Sequence, residues 1–271
     1  MGERKIYNSI TKKKKKKNHV FLAKHCSFAF RNSFVFIEAS TLVAWTHLHC
    51  VCLWRLHSGI ENWKIFSLFT LSGEKNQRFA LMLHYSEHRR LFPKESYWNS
   101  WNPYFLCPFF GIPSGLYFAH HVVMHHQENN FDGWDVSSTE PYQRDHFTSF
   151  LHYWLRWIIG VWFALPYYLY KRKNWPLFTN LLYMLLIWGF SVATLYRLNP
   201  QATFWVFILP VMITQFLFSF GNYSQHIFVD PNRPNDNYVL TYCCINATDN
   251  QYSFNDGYHI THHINARLHW R

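Results

Sequence analysis

The amino-acid sequence predicts an all-α integral membrane protein with a strong transmembrane hairpin, interfacial helices and a histidine-rich cap on the cytosolic side. Charged residues make up only 15% of the chain, whereas a soluble domain carries about 25%. Two long uncharged apolar segments lie close together in the second half, and compact groups of histidines flank them. Mean hydropathy is slightly negative, which favours a few membrane spans joined to a sizeable polar part.

The first 34 residues form a basic, low-complexity segment that we expect to be disordered. The run Lys12 to Lys17 carries much of the net charge of +11. Nucleic-acid binding is the less favoured interpretation, because no aromatic residues are interleaved with the lysines and no nucleic-acid-binding motif follows. The positive-inside rule places this end in the cytoplasm. Residues 35–271 are predicted to form one membrane domain.

The first apolar segments of that domain are weak candidates for spans. Residues 35–55 are long enough, but Glu38 and two histidines lie among them, and an acid at the membrane centre costs about 3 kcal/mol. Residues 65–72 are too short unless residues 79–83 extend them.

Two further apolar segments are predicted to lie at the membrane interface. Residues 104–118 contain Pro108 and Pro113 and fall short of the ~20 residues that a span needs, so we interpret them as interfacial or re-entrant. Residues 151–170 carry Arg156 and are followed by three basic residues, which is typical of an amphipathic helix on the membrane surface.

The strongest spans are residues 176–196 and 202–220, neither of which contains a charge. Only residues 197–201 separate them, so an antiparallel helical hairpin is predicted. Such a hairpin leaves residues 175 and 221 on the same side of the membrane. All the histidine groups can then share one aqueous compartment.

Eighteen histidines are many for 271 residues, and half of them fall into compact groups. The spacings are H-x3-H, H-x3-H-H and H-x2-H-H, and one further histidine follows an asparagine in the pattern N-x3-H. The groups are His84 with His88; His121 with His125 and His126; His259 with His262 and His263; and Asn222 with His226.

The spacing of these histidines points to bound metal. Helical residues three and four apart project from one face about 6 Å apart, and neutral imidazole is a good ligand for iron, copper, nickel and zinc. A lone histidine or a single triplet is weak evidence, but several groups beside apolar segments are strong evidence. Eight or more histidines are too many for one zinc ion, and the Glu-x-x-His pairs of soluble di-iron bundles are missing. Two metal ions are therefore predicted.

The three boxes in this order, with a membrane hairpin between the second and third, resemble the membrane fatty acid desaturase and hydroxylase superfamily. The strings RFALMLHYSEHRRLF and FNDGYHITHHINARLHW look like one subgroup of eukaryotic desaturase-domain proteins, and the similarity runs from about Arg78 to Trp270. The resemblance implies two non-haem iron ions, with O2 as co-substrate, that introduce a double bond into an acyl lipid or acyl-CoA.

The resemblance also implies roles for individual residues. The nine histidines of the four groups would be iron ligands, and Asn222 would act on the metal through a water. His120 lies one residue too far from His125 to fit the second box, so we expect it beside the ligands rather than among them. Glu87 and Asp256 are candidates to hold ligand rings, with a solvated acid as the equal alternative. For Glu128 and Asp132 the solvated acid is favoured.

The resemblance further implies a location and partners. The protein is expected in the endoplasmic reticulum membrane, with its histidine boxes facing the cytosol. No His-Pro-Gly-Gly haem motif is present, so a separate cytochrome b5 or ferredoxin is the expected electron donor, and no nucleic-acid partner is expected.

Two alternatives stay open. The same centre could hydroxylate a sterol, sphingolipid or carotenoid. The chain could also be an inactive, truncated copy, because residues 1–77 offer only marginal spans and the chain stops one residue after Trp270, where relatives continue.

Overall fold

The computed structural model describes residues 73–266, apart from residues 231, 234, 235 and 252. Within these residues all regular structure is helical, which confirms the predicted all-α class. The basic segment 1–34 and the weak apolar segments 35–55 and 65–72 lie outside the described residues. The helices are α1 (Gly73–His88), α2 (Phe118–His125 continued by His126–Glu128), α3 (Phe147–Lys171), α4 (Trp175–Leu198), α5 (Pro200–Thr203, Phe204–Ile208 and Leu209–His226) and α6 (His259–Ile264).

Helices α4 and α5 are the two described helices that are long and apolar enough to cross a membrane. They confirm the spans predicted at 176–196 and 202–220, although each helix runs further. Asn199 alone separates them: its backbone is extended, and its side chain accepts a hydrogen bond from the backbone N–H of Ala202, which caps the start of α5. Pro200 follows in the first position of α5, where a missing N–H costs nothing.

Helix α3 covers the predicted interfacial segment and packs against both α4 and α5. Trp157, Val161 and Leu165 recur every four residues on its buried face. Its outer face is also apolar, with Phe163 73% exposed and Ile159 60% exposed. A large exposed apolar surface of this kind is suited to contact with lipid.

The proline-containing segment before α2 forms two short helical turns, Trp101–Leu106 and Cys107–Phe110. Each turn is too short to span a membrane. The segment ends at Gly111, whose φ of 75° is in the left-handed region. A Cβ atom at Gly111 would collide with the carbonyl oxygen of Pro210. The missing side chain therefore lets this segment lie directly against α5, where Thr214 donates a hydrogen bond of 2.9 Å to the Phe110 carbonyl.

Apolar clusters fix the helices that carry the histidines. On α1, Phe79 and Leu83 pack against Leu106 and Phe110 of the short turns. On α2, Ala119 and Met124 pack against the buried face of α3. Burial of these side chains supplies the driving force that holds α1 and α2 side by side.

Candidate metal centre

The nine histidines predicted as ligands come together at one end of the helices. In the first set, the ligand nitrogens of His84, His88, His121 and His262 all lie within 4.8 Å of one another. In the second set, those of His125, His226 and His263 do the same. Helices α2 and α6 contribute to both sets, so the sets are neighbours. Two metal ions could be bound side by side.

The remaining two histidines complete these sets. His126 Nε2 lies 2.8 Å from His262 Nε2 and 3.1 Å from His121 Nε2, which adds it to the first set. His259 Nε2 lies 3.2 Å from His226 Nε2, which adds it to the second. Two nitrogens that each lie about 2.1 Å from one ion, at right angles, are about 3 Å apart. The observed spacings suit ligands of a common ion.

The winding of α2 decides which histidines meet. Residues Phe118–His125 form a π-helix, in which the backbone N–H of His126 bonds to the carbonyl of His121, five residues earlier. Because of this wider turn, the rings of His121 and His126 meet although they are five residues apart. The α-helical spacing assumed from the sequence does not predict this pair.

Burial keeps the rings of the candidate ligands neutral, and the neutral ring is the form that binds metal. It lowers the pKa of His88 to about 2 and, opposed in part by Asp256, the pKa of His84 to about 4. It also lowers the pKa of His121 and His263 well below the ordinary value. These imidazoles are therefore neutral at neutral pH, which is the state that metal binding requires.

Several of these nitrogens are buried with no partner among the described residues. They include Nε2 of His88, Nε2 of His125 and both ring nitrogens of His263. Buried polar atoms are nearly always hydrogen-bonded, so each exception needs an explanation. A bound metal ion supplies one, and the donor set of the described residues fits a pair of ions with imidazole ligands.

Asp135 holds one ligand ring, and sequence reasoning missed it. Its Oδ2 lies 2.7 Å from His125 Nδ1, and its Oδ1 accepts hydrogen bonds from the Ser137 backbone N–H and hydroxyl. Burial raises the pKa of Asp135. The charge and hydrogen bond of His125, together with His120, lower it by more than burial raises it, so the net shift of the pKa is downward. The carboxylate therefore fixes His125 with Nε2 turned toward the second set.

His120 and Asn222 lie close to the ligands. His120 Nε2 lies 3.0 Å from the Ser137 hydroxyl and 3.9 Å from Asp135. Asn222 is one helical turn before His226, and its side-chain amide donates to the Tyr153 hydroxyl (2.8 Å) and the Ser137 carbonyl (3.1 Å).

The four acids considered in the sequence analysis lie in different surroundings. Asp256 faces His259 Nδ1 at 3.8 Å, beyond hydrogen-bond length, and accepts a bond from Gln225. Burial raises its pKa, but His259 lowers it to about 2. Burial raises the pKa of Glu87 to about 7, and among the described residues no hydrogen bond joins Glu87 to a ligand. Glu128 accepts hydrogen bonds from Tyr168 and Arg172, and Asp132 from Arg156.

A comparison with protein families identifies this arrangement. The family model described as fatty acid desaturase matches residues 62–271, well over half of the chain. The chain belongs to the fatty acid desaturase family. Searches of curated proteins and of solved structures found no significant match. Family membership and the clustered histidines make the protein a desaturase-like oxidoreductase, with two apolar helices suited to a membrane.

Tyr117 is a second contact of this desaturase-family site that the sequence reasoning missed. Its hydroxyl lies 3.0 Å from His84 Nδ1, and its ring stacks on His121. If His84 bound a metal through Nε2, its proton would be on Nδ1 and would be donated to the Tyr117 oxygen. An aromatic residue four positions before a box histidine was a usable signal, because the two lie on one helical face.

An apolar cavity of about 670 Å³ reaches the ligands. It lies between α1, α2, α3 and α5, and its walls include Leu81, Ile112, Leu116, Trp157 and Phe218. His84, His121 and His259 line it as well. In this desaturase-family protein, a lipid chain inside the cavity would lie directly against both histidine sets.

Proposed function

We propose that this protein uses two iron ions and O2 to introduce a double bond into a fatty acyl chain. The observation that carries the proposal is the position of the two histidine sets at the wall of a large apolar cavity. Ligand sets made only of imidazole suit iron, and an apolar cavity suits a saturated chain.

The histidines would hold the two ions in separate sets. The first ion would be bound by His84, His88, His121, His126 and His262, and the second by His125, His226, His259 and His263. Bound iron, together with O2, would supply the oxidising power to remove hydrogen atoms from an unactivated acyl chain. Asp135 would keep the His125 ring in the binding orientation, and Asn222, one turn before His226, would act on the second ion through a water.

The cavity walls would select the carbon atoms that react. A saturated chain offers no polar handle, so its position depends on the shape of the apolar walls formed by Leu116, Trp157 and Phe218. The same walls exclude water from the reacting carbons. Removal of two hydrogens from the chain gives two electrons, and reduction of O2 to two waters takes four.

The other two electrons must come from a donor. The proposal includes a separate cytochrome b5 or ferredoxin for this purpose, an acyl lipid or acyl-CoA as substrate, and an endoplasmic reticulum membrane with the histidines facing the cytosol. His226, at the C-terminal end of α5, meets His259 of the third box. The histidines therefore lie at the end of a predicted span rather than in its middle, which supports access from an aqueous compartment.

The metal content of the purified full-length protein tests this proposal. We expect about two irons per chain in detergent, with iron lost from His262→Ala, whose ring joins the first set. His152→Ala is the matched control, because His152 is exposed on α3, and it should keep its iron. Zinc alone, or no metal, would contradict the proposal. Product analysis then separates desaturation from hydroxylation, because only hydroxylation adds oxygen to the lipid.

A further inference from the structure

Three of the polar side chains of α5 that line the largely apolar cavity share one face of the helix. Gln215, Ser219 and Asn222 are four and three residues apart, so they share one helical face. All three line the cavity, and they lie opposite Trp157 and Tyr153 of α3.

The outer two of these side chains have protein partners. Gln215 accepts a hydrogen bond of 2.9 Å from the indole N–H of Trp157. Asn222 donates to the Tyr153 hydroxyl at 2.8 Å and to the Ser137 carbonyl at 3.1 Å. These bonds join α3 to α5 on both sides of Ser219.

Ser219 itself has no partner in the described part of the chain. Its side chain is 3% exposed, and its hydroxyl oxygen is fully buried. Helical serines usually bond to a carbonyl of the preceding turn, as Ser224 does with Gly221 at 2.8 Å. A buried hydroxyl without a partner is costly, so an occupant of the cavity is the natural source of one.

Tyr153 offers a second binding capacity in the same cavity. Its hydroxyl oxygen accepts the bond from Asn222, and within the described residues its proton has no acceptor. Tyr153 is fully buried and lines the cavity. The Tyr153 hydroxyl lies near the histidine sets, because Asn222, which donates to it, is one turn before His226. Asn222 also donates to Ser137, which contacts His120.

We propose that the substrate is a lipid whose chain carries a hydroxyl group near the reacting carbon, and that Ser219 and Tyr153 bind this hydroxyl. The inference rests on the proposed function and narrows its substrate class. A hydroxyl can accept the proton of Tyr153 and donate its own to Ser219, so all three groups gain a partner. A plain saturated chain satisfies neither side chain.

A competition experiment tests this proposal. The purified full-length protein in lipid nanodiscs is given an equimolar mixture of octadecanoate and positional isomers of hydroxyoctadecanoate, and the lipids that remain bound are counted by mass spectrometry, with empty nanodiscs subtracted. One hydroxyl isomer should be enriched roughly tenfold over octadecanoate, as expected for one or two buried hydrogen bonds. Ser219→Ala should lose most of this preference, while Ser219→Thr, which keeps the hydroxyl, should retain it.

Ser224→Ala is the matched control, because it removes a hydroxyl from the same helix that does not line the cavity. Equal binding of all lipids by the wild type, or an enrichment that Ser219→Ala leaves intact, would overturn the inference. In that case an adventitious water is the partner of Ser219. The iron content of the same samples reports on the proposed function separately, because the bound-lipid ratio requires neither metal nor turnover.

Discussion

Asp135 Oδ2 lies 2.7 Å from His125 Nδ1, and both side chains are essentially inaccessible to solvent. A carboxylate in this position fixes which ring nitrogen carries the proton and increases the basicity of the other. The other nitrogen, His125 Nε2, is buried, has no partner in the described part of the chain and is turned toward His226 and His263. The pair therefore connects a loop acid directly to the second histidine set.

Asp135→Asn should weaken iron binding at the second set. The amide loses the negative charge that holds His125, and removal of such a partner costs about 10–100-fold in metal affinity. The measurement is iron retained per chain after a graded chelator challenge. Asp132→Asn is the control, since Asp132 pairs with Arg156 near the surface. Equal iron retention by both variants would contradict this role of Asp135.

Tyr117→Phe should accelerate loss of iron from the first set. The variant removes the oxygen that lies 3.0 Å from His84 Nδ1 and leaves a buried N–H without an acceptor. A neutral hydrogen bond contributes about 1 kcal/mol, so the expected change is a few-fold, smaller than for Asp135→Asn. The rate of iron loss is measured by stopped-flow mixing with a chelator, followed by optical absorption.

Tyr104→Phe provides the comparison for that rate. The Tyr104 hydroxyl accepts a hydrogen bond from Asn180 and has no contact with the described ligands. Its removal should leave the rate of iron loss unchanged. The same rate in wild type and Tyr117→Phe would show that Tyr117 only fills space.

Gly111→Ala should destabilise the protein by at least about 2 kcal/mol. A methyl group there meets the Pro210 carbonyl and lies 2.6 Å from the Thr214 hydroxyl, and the backbone has a φ of 75°. Gly189→Ala is the opposite case, because no atom of the described residues lies within 4 Å of the added atom in the middle of α4. That variant should be neutral or gain up to about 1 kcal/mol from helix propensity. The melting temperatures of the two variants and the wild type, measured by thermal unfolding in detergent, check both expectations.

The metal-free protein should lose stability as the pH falls from about 6.5 to 4. The folded state holds the pKa of His84 at about 4 and that of His88 at about 2, both below the ordinary value of 6.5. Over this range the unfolded chain therefore binds more protons than the folded chain, and stability declines with falling pH. The melting temperature of chelator-treated protein between pH 7 and pH 4 measures this.

His88→Asn should reduce that slope, because it removes one of the groups that resist protonation. His152→Ala should leave the slope unchanged, since His152 is exposed to solvent. A melting temperature that does not change with pH in the wild type would contradict the expected protonation states.

The sequence predicts those parts of the protein that repeat with a helical period. The spans at 176–196 and 202–220 are uncharged over a membrane thickness, and the structure has helices at both. The histidine groups are spaced by three and four residues, and the structure brings their nitrogens together. Local spacing is enough to predict the spans and to place the histidines of each group on one helical face. Which groups meet depends on how the helices pack.

Contacts made by irregular backbone could not be predicted in this way. Asp135 lies in a loop with no period, and the neighbouring acids Glu128 and Asp132 have the same local signal but pair with Arg172 and Arg156. The π-helical turn of α2 changes which histidines meet, and the spacing of histidines along the sequence does not reveal that turn. Asn199 was expected to lie within a five-residue connection, but its side-chain cap lets α5 begin at the next residue.

The distribution of the ligands along the chain has a consequence for biosynthesis. Each histidine set takes members from α2 or α1 and from α6, so neither set is complete until His262 and His263 have left the ribosome. Iron could therefore complete either set only after α4 and α5 have been synthesised. Before then the buried imidazoles would have no metal partner, so we expect the metal-free nascent protein to be the form most exposed to cellular quality control.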